Sequence, residues 1–238
     1  MADDLTPIWM RPERPARGPQ PSHSRAEIVA KAIAIADAEG IDAVSMRRLA
    51  SEVGTGTMSL YRYIPKKDDL YELMIDAVAG EDPPPERPSG DWRADLRLIA
   101  HRQLASARRH PWLVSLSGRP VFGPNTLRLA EFGFSALDGL GLSIDGIMEI
   151  VSAVTAFVTG VAQNELGERE LRRRTGVNEE EWRRAQAPYI QSILDSGKFP
   201  HMNRIVIEAE IPHSDPDKVF ARVLDRLLDG LAAGIGHD

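Results

Sequence analysis

The chain reads as all-α, a small N-terminal helical domain followed by a larger helical one. Three observations predict this. Apolar residues recur at helical spacing in one stretch after another, and no run alternates strictly enough to be a strand. The stretch 81–90, EDPPPERPSG, has too many prolines for a regular helix and reads as a linker. Charge is also divided by position. Arg11 to Lys67 holds ten Lys/Arg against six Asp/Glu, and the rest holds 19 against 29. A net charge of −6 argues against a generic polyanion binder, whereas a basic front on an acidic body suits one domain that meets phosphate and another that does not.

At 238 residues and 42% hydrophobic, the chain is long enough for two domains with a sizeable core. The absence of cysteine excludes disulfides, a thiol nucleophile and cysteine metal sites, and fits a reducing, cytoplasmic setting. Pro and Arg interrupt the N-terminus, so no signal core is present. The most apolar stretch, Val151 to Ala162, is too short to span a bilayer and carries Ser and Thr, so no membrane partner is expected.

Residues 1–21 are rich in Pro and Arg and are expected to lack order. Arg11, Arg14 and Arg17 fit an arm reaching the minor groove or a solvated tail, and the tail is preferred. The first domain is 22–80. Ser24 with Glu27 makes a capping box opening a helix to Glu39, with Ile28, Ala32, Ile35 and Ala36 on one face and Gly40 as its stop. Ser45 to Val53 is a short helix with Leu49, Ala50 and Val53 on one side. Gly54, Thr55 and Gly56 turn the chain, Thr57 caps a second short helix to about Tyr63, and Pro65 ends it. Two short helices around a Gly-bearing turn form a helix-turn-helix, whose second helix enters the major groove. The core of this unit is expected from Ile28, Ile35, Leu49, Val53, Leu60 and Ile64. Asp68 and Asp69 begin the next helix, where acidic groups complement the dipole, and Leu70, Leu73, Met74, Ala77 and Val78 continue it to Gly80.

The second domain is 91–238. Asp91 caps a helix to about Arg109, His110-Pro111 stops it, and Trp112 to Ser117 is a short helix. Asn125 caps Thr126 to Leu140, and Ser143 opens a nearly all-apolar helix to about Leu166, buried on more than one side. Arg172 to Arg174 lie among glutamates, so the segment is a solvated surface rather than a phosphate patch. Asn178 with Glu181 opens a helix to about Ser196, and the middle of 198–214 has helical character. Asp215-Pro216 starts the last helix, with Phe220, Val223, Leu224, Leu227, Leu228, Leu231 and Ile235 on a wide apolar face. The chain has no GxxxxGK, HExxH, DxDxDG or GxSxG motif, and no two of its six histidines are spaced i, i+4. No catalytic residue, cofactor or metal site is therefore expected.

The string GTGTMSLYRYIPKKDDL, with Leu49-Ala50 in the helix before it, resembles the DNA-binding domain of the tetracycline-repressor (TetR) family. The matching features are Gly54, Leu60-Tyr61, Tyr63, Ile64, Lys67 and Leu70, over roughly residues 24–78. The rest resembles the family more loosely, through HPW at 110–112 and the closing helix. The resemblance puts Arg47, Thr57, Met58, Ser59, Tyr61, Tyr63 and Lys67 at DNA-contact positions. Arg47 suits guanine O6 and N7. Met58 and the Tyr61 ring suit thymine methyls or sugars, and Lys67 with the tyrosine hydroxyls suits phosphate. Gly56 and Met58 depart from the polar or proline residues of some members, which implies a different operator. The resemblance also implies a homodimer through the helices Ile144–Leu166 and Asp217–Ile235, on double-stranded operator DNA. It further implies a pocket in the body where a small-molecule effector weakens DNA binding. Apolar residues with a few polar groups would line such a pocket: His101, Leu104, Trp112, Phe122, Phe132, Thr155, Phe157, Gln163 and Asn164. The expected function is a ligand-responsive repressor. An activator or co-regulator of the same architecture is the alternative, and an all-helical enzyme using the pocket a distant one.

Overall fold

The computed structural model describes residues 6–11, 23–177, 179–209 and 214–235, and no strand occurs among them. The head contains α1 (Arg25–Glu39), α2 (Met46–Val53), α3 (Thr57–Tyr63) and α4 (Lys67–Ala79), and its boundaries have local causes. Ser24 Oγ accepts the Glu27 N–H and the Glu27 carboxylate accepts the Ser24 N–H, so the expected capping box opens α1. Gly40 closes it at φ +86°, which a side chain would resist. Ser45 caps α2 through the Arg48 N–H, and Gly54, at φ +81°, turns the chain out of it. One detail differs from expectation. Gly56, not Thr57, is the N-cap of α3, and no side chain caps it. The helix therefore starts one residue earlier than expected, and the Gly56 carbonyl accepts the Ser59 and Leu60 N–H groups. Ile64, held extended before Pro65, ends α3.

Ile28, Ala32, Leu49, Leu60, Ile64, Leu70 and Met74 are all fully or almost fully buried in one core, and Val53 packs at its margin. The four helices do not close this core alone. Trp112 and Leu116, at and after α6 (Trp112–Ser115), enter it from beyond α5 (Trp92–Arg109). Asp37 of α1 accepts the Trp112 indole N–H at 2.7 Å and lies 2.8 Å from His110 Nδ1. The other ring nitrogen of His110 is 3.0 Å from Glu81 Oε2. This clasp joins α1, the exit of α4 and the exit of α5 around a buried histidine.

Asp91 caps α5 through the Arg93 and Ala94 N–H groups. Helix α7 (Pro124–Leu137) starts and ends earlier than expected, with Gly123 as N-cap. Asn125 lies inside its first turn. The cap comes from another helix: Asp76 of α4, 3% exposed, accepts the Asn125 and Thr126 N–H groups at 2.9 and 2.8 Å. A carboxylate there also complements the helix dipole.

Helix α8 (Ile144–Thr175) runs well past the expected Leu166, and the arginine-rich segment is its exposed last turns. Arg173 pairs with Glu170 at 2.9 Å and holds that carboxyl below its usual range. One 18-residue window of α8 has a mean hydropathy of 1.6, so by length and composition it passes for a membrane span, unlike Val151–Ala162 taken alone. Of its apolar side chains only the row Ile147, Ile150, Val154, Val158 and Ala162 is buried, so within the single chain α8 is covered along one side, contrary to the expected burial on more than one.

Residues up to Thr159 group with Ile235 as one compact unit, and 160–234 form a second. The second unit contains the end of α8 with α9 (Glu179–Asp195), α10 (Pro200–Glu208) and α11 (Pro216–Ala232). Asp215 caps α11 through the Asp217 N–H, and Phe220, Leu224 and Leu228 are its buried row. Arg14, Arg17, Asn178, His213 and His237 lie outside the described residues. Residues 6–11 depart from the expected lack of order. Ile8–Met10 is a single 3-10 turn, and Ile8 is 1% exposed.

Candidate DNA-reading surface

Helix α3 has two sides. Leu60, with Ile64 just beyond, anchors it in the head core at 0% exposure. Burying two such side chains stabilises the placement by about 1.5–3 kcal/mol each. The opposite side carries Met58 at 81% exposure and Tyr61 at 39%. Thr57 and Ser59 are half-buried, and Ser59 Oγ accepts from Arg62 at 3.1 Å. Of the seven expected contact residues, Met58, Tyr61, Arg47 and Lys67 are exposed, and Thr57, Ser59 and Tyr63 are half-buried. Tyr63 packs its ring against the head core. Its carbonyl, the last of α3, accepts the Arg25 Nε–H at 3.0 Å, which satisfies an otherwise unpaired helix-end acceptor.

Charge on this surface is sorted by pairing. Arg48 forms a two-pronged ion pair with Glu39, holding that carboxyl below its usual range and raising the guanidinium above its own. Arg47, one residue earlier, is exposed and stands outside that pair. A salt-bridged Arg48 is the poorer phosphate ligand, so adjacent arginines are not equivalent. Lys67 Nζ sits 5.2 Å from the Tyr71 ring centroid, a cation–π contact that leaves the ammonium at the surface.

The nine residues expected around a pocket are dispersed by exposure. Leu104 and Phe132 are buried, and Phe157 is half-buried. Trp112 belongs to the core shared with the head. His101, Phe122, Thr155, Gln163 and Asn164 are exposed. The sequence reading missed Gln103, whose side-chain carbonyl on α5 is buried and accepts no hydrogen bond. It also missed Arg25, Asp37 and Asp76, each of which serves partners far away in the chain.

Comparison with known proteins agrees with this geometry. Residues 28–74 match the family model for bacterial regulatory proteins of the tetR family, and residues 84–235 match the tetracyclin repressor-like C-terminal domain. The chain is 39% identical over 233 residues to the HTH-type transcriptional repressor DrrR1 of Streptomyces coeruleorubidus, covering 97% of this chain and 85% of that one. An HTH-type transcriptional regulator of Saccharopolyspora erythraea is 36% identical over 158 residues, 64% of this chain and 65% of the relative. Among solved structures, apo ActR of Streptomyces coelicolor superposes with a TM-score of 0.76 at 28% identity, over 92% of this chain and 99% of ActR. ActR in complex with actinorhodin gives 0.75 at 28% identity, over 90% and 98%. A head whose α3 is anchored on one side and exposed on the other, joined to an all-helical body that matches along its length, makes this chain a member of the TetR family of DNA-binding transcriptional regulators.

Proposed function

We propose that this chain is a homodimeric, ligand-responsive repressor acting in the cytoplasm, without catalytic activity. Two copies of α3 dock in successive major grooves of a near-palindromic operator, about 34 Å apart. The observation that carries this reading is the division of α3 between a sealed side at Leu60 and Ile64 and an open side at Met58 and Tyr61. In this reading Arg47 and Met58 read base edges, and Lys67, Ser59 and the tyrosines hold the backbone. Exposed apolar side chains support the dimer: Ile144 and Met148 on α8 and Val223 on α11 stand 73, 52 and 37% exposed in the single chain. DrrR1 is named a repressor, which supports that sign of regulation here.

The effector is a small molecule received by the body, a reading supported by the similarity to ActR, whose structure was solved in complex with actinorhodin. Gln103 supports the reading. A buried amide oxygen without a donor costs about 1–3 kcal/mol, and an effector hydroxyl or N–H would satisfy it. Leu104, one residue on, and Phe132 supply apolar surface in the same body. The test is a fluorescence-anisotropy titration against a duplex enriched by this protein from a random pool. Saturable binding that resists competitor DNA and weakens steeply with salt is expected. Lys67→Ala should weaken binding to all sequences alike and reduce the salt slope by about one. Binding that ignores both salt and sequence would overturn the assignment.

A further inference from the structure

The N-terminal segment 6–11 sits where no local signal would place it. Its Ile8 side chain is among the fully buried ones, although prolines and charges surround it in sequence. Met10 N–H bonds to Pro7 O at 3.0 Å and Arg11 N–H to Ile8 O at 3.2 Å, and Arg11 Nε–H returns to Thr6 O at 2.9 Å. The segment is thus a closed turn, and it is gripped from two sides.

The first grip is Arg25, at the start of α1. One face of its guanidinium donates to Arg11 O at 2.8 Å and, more weakly, to Ile8 O at 3.4 Å. Its Nε–H donates to Tyr63 O, the last carbonyl of the reading helix. Segment and reading helix therefore share one rigid, planar cation, whose donors have fixed relative directions. The second grip is Trp9. Its ring lies over Gly123, the N-cap of α7, where a Cβ would come within 2.7 Å of Trp9 Cζ2 and nearer still to the Asp76 carboxylate. Gly123 has φ −75°, which any residue adopts, so the glycine is required by space and not by backbone conformation. Asp76 is the cap of α7 described above, so α4, α7 and the segment meet at this point.

We propose that residues 6–11 are a strap that fixes the reading helix relative to α7, with Arg25 and Trp9 as its positioning residues, and thereby narrows the half-site spacing the protein accepts. The proposal rests on the dimeric operator-binding reading above. Without the strap, the head is held through α4 and through the clasp at Asp37, neither of which touches the end of α3. A head also held at the end of α3 presents its reading side within a narrower range. The strap is not maximally tight, because the Trp9 indole N–H is buried and has no acceptor. It is held by Ile8, by ring contact and by one arginine, a fastening that can open without unfolding the head core.

The experiment compares the full chain with the Ile8→Ser, Trp9→Ala double variant on operator duplexes. The duplexes carry the two half-sites at the enriched spacing and with one base pair added or removed. The full chain is expected to prefer its own spacing by about tenfold or more, and the variant by less than about threefold. Arg25→Lys, which keeps the charge and loses the fork, should move the same way by a smaller factor. It also serves as the measurement if the double variant fails to fold by circular dichroism. An unchanged spacing preference in folded variants overturns the proposal, and a lower melting temperature with that unchanged preference makes the strap a purely structural element. If the full chain binds no duplex at all, the operator-binding reading itself fails, and the strap's role in spacing fails with it.

Discussion

The head and the 160–234 unit treat their apolar residues in opposite ways. In the head, Ile28, Leu49, Leu60, Ile64, Leu70 and Met74 are at 0% exposure, and the exposed side of α3 is polar apart from Met58 and Tyr61. In 160–234, Trp182, Tyr189, Phe199, Met202, Ile205 and Ile207 are between 48 and 74% exposed. A closed core stabilises a unit that must keep its shape while contacting a polar ligand such as DNA. Contiguous exposed apolar surface is unusual on a monomer and marks an interaction site. The difference is that the head buries its large apolar side chains within one chain, whereas 160–234 leaves many of its own exposed, as the proposed dimer would require.

The largest expected effect tests the closed side. Leu60→Ala removes the anchor of α3 and should destabilise the head by about 2–5 kcal/mol. Thermal unfolding followed by circular dichroism would show it as a lowered first transition, with operator binding lost at temperatures where the wild type still binds. Retained stability would mean that α3 is held mainly by Arg25 and the strap. Next comes the open side. Val223→Asp on α11 should shift the chain from dimer to monomer in sedimentation equilibrium and weaken palindrome binding by more than about tenfold, since both half-sites no longer bind together. A variant that stays dimeric would move the interface away from α11.

A smaller effect is expected within the reading surface. Arg47→Ala should cost about 1–3 kcal/mol and relax preference at one base position, read by enrichment from a randomised operator. Arg48→Ala should do much less, because Glu39 already occupies that guanidinium. The smallest effect belongs to Glu39→Gln, which releases Arg48 and should slightly raise affinity for all duplexes at low salt. The sign with pH follows from the same pair. The Glu39 carboxyl is held below its usual value by the Arg48 hydrogen bonds, so the pairing is intact above the unfolded-state value and is lost as pH falls through the lowered one. Stability from this exposed pair is therefore constant through the neutral range, and the wild type and Glu39→Gln should show parallel melting curves there.

Much of the head was legible because its signals are local. The Ser24/Glu27 box, the stop at Gly40, the turn at Gly54 and the break before Pro65 act over three or four residues, and the helices begin and end accordingly. The same logic located Asp91 as a cap and Asp215-Pro216 as the start of the last helix. It failed at Asn125, where Asp76 of another helix took the role, and at Thr57, where the helix starts one residue earlier, after Gly56, with no side-chain cap. The candidate pocket was legible only as composition. Apolar periodicity marks the residues on one side of a helix without saying which neighbour they meet, so Trp112 was grouped with the body although its ring belongs to the head core.

The sequence by itself determined the all-α class, the helix-turn-helix and the order of its helices, because capping, turn geometry and amphipathic period are set by neighbours in the chain. The tertiary structure alone decided that Asp76 caps a helix 49 residues away, that Trp112 bonds to Asp37 across 75, and that Arg25 joins the N-terminal strap to the end of α3. Each of these depends on a polar group finding its partner only after the apolar faces have packed, and no spacing along the chain encodes that meeting.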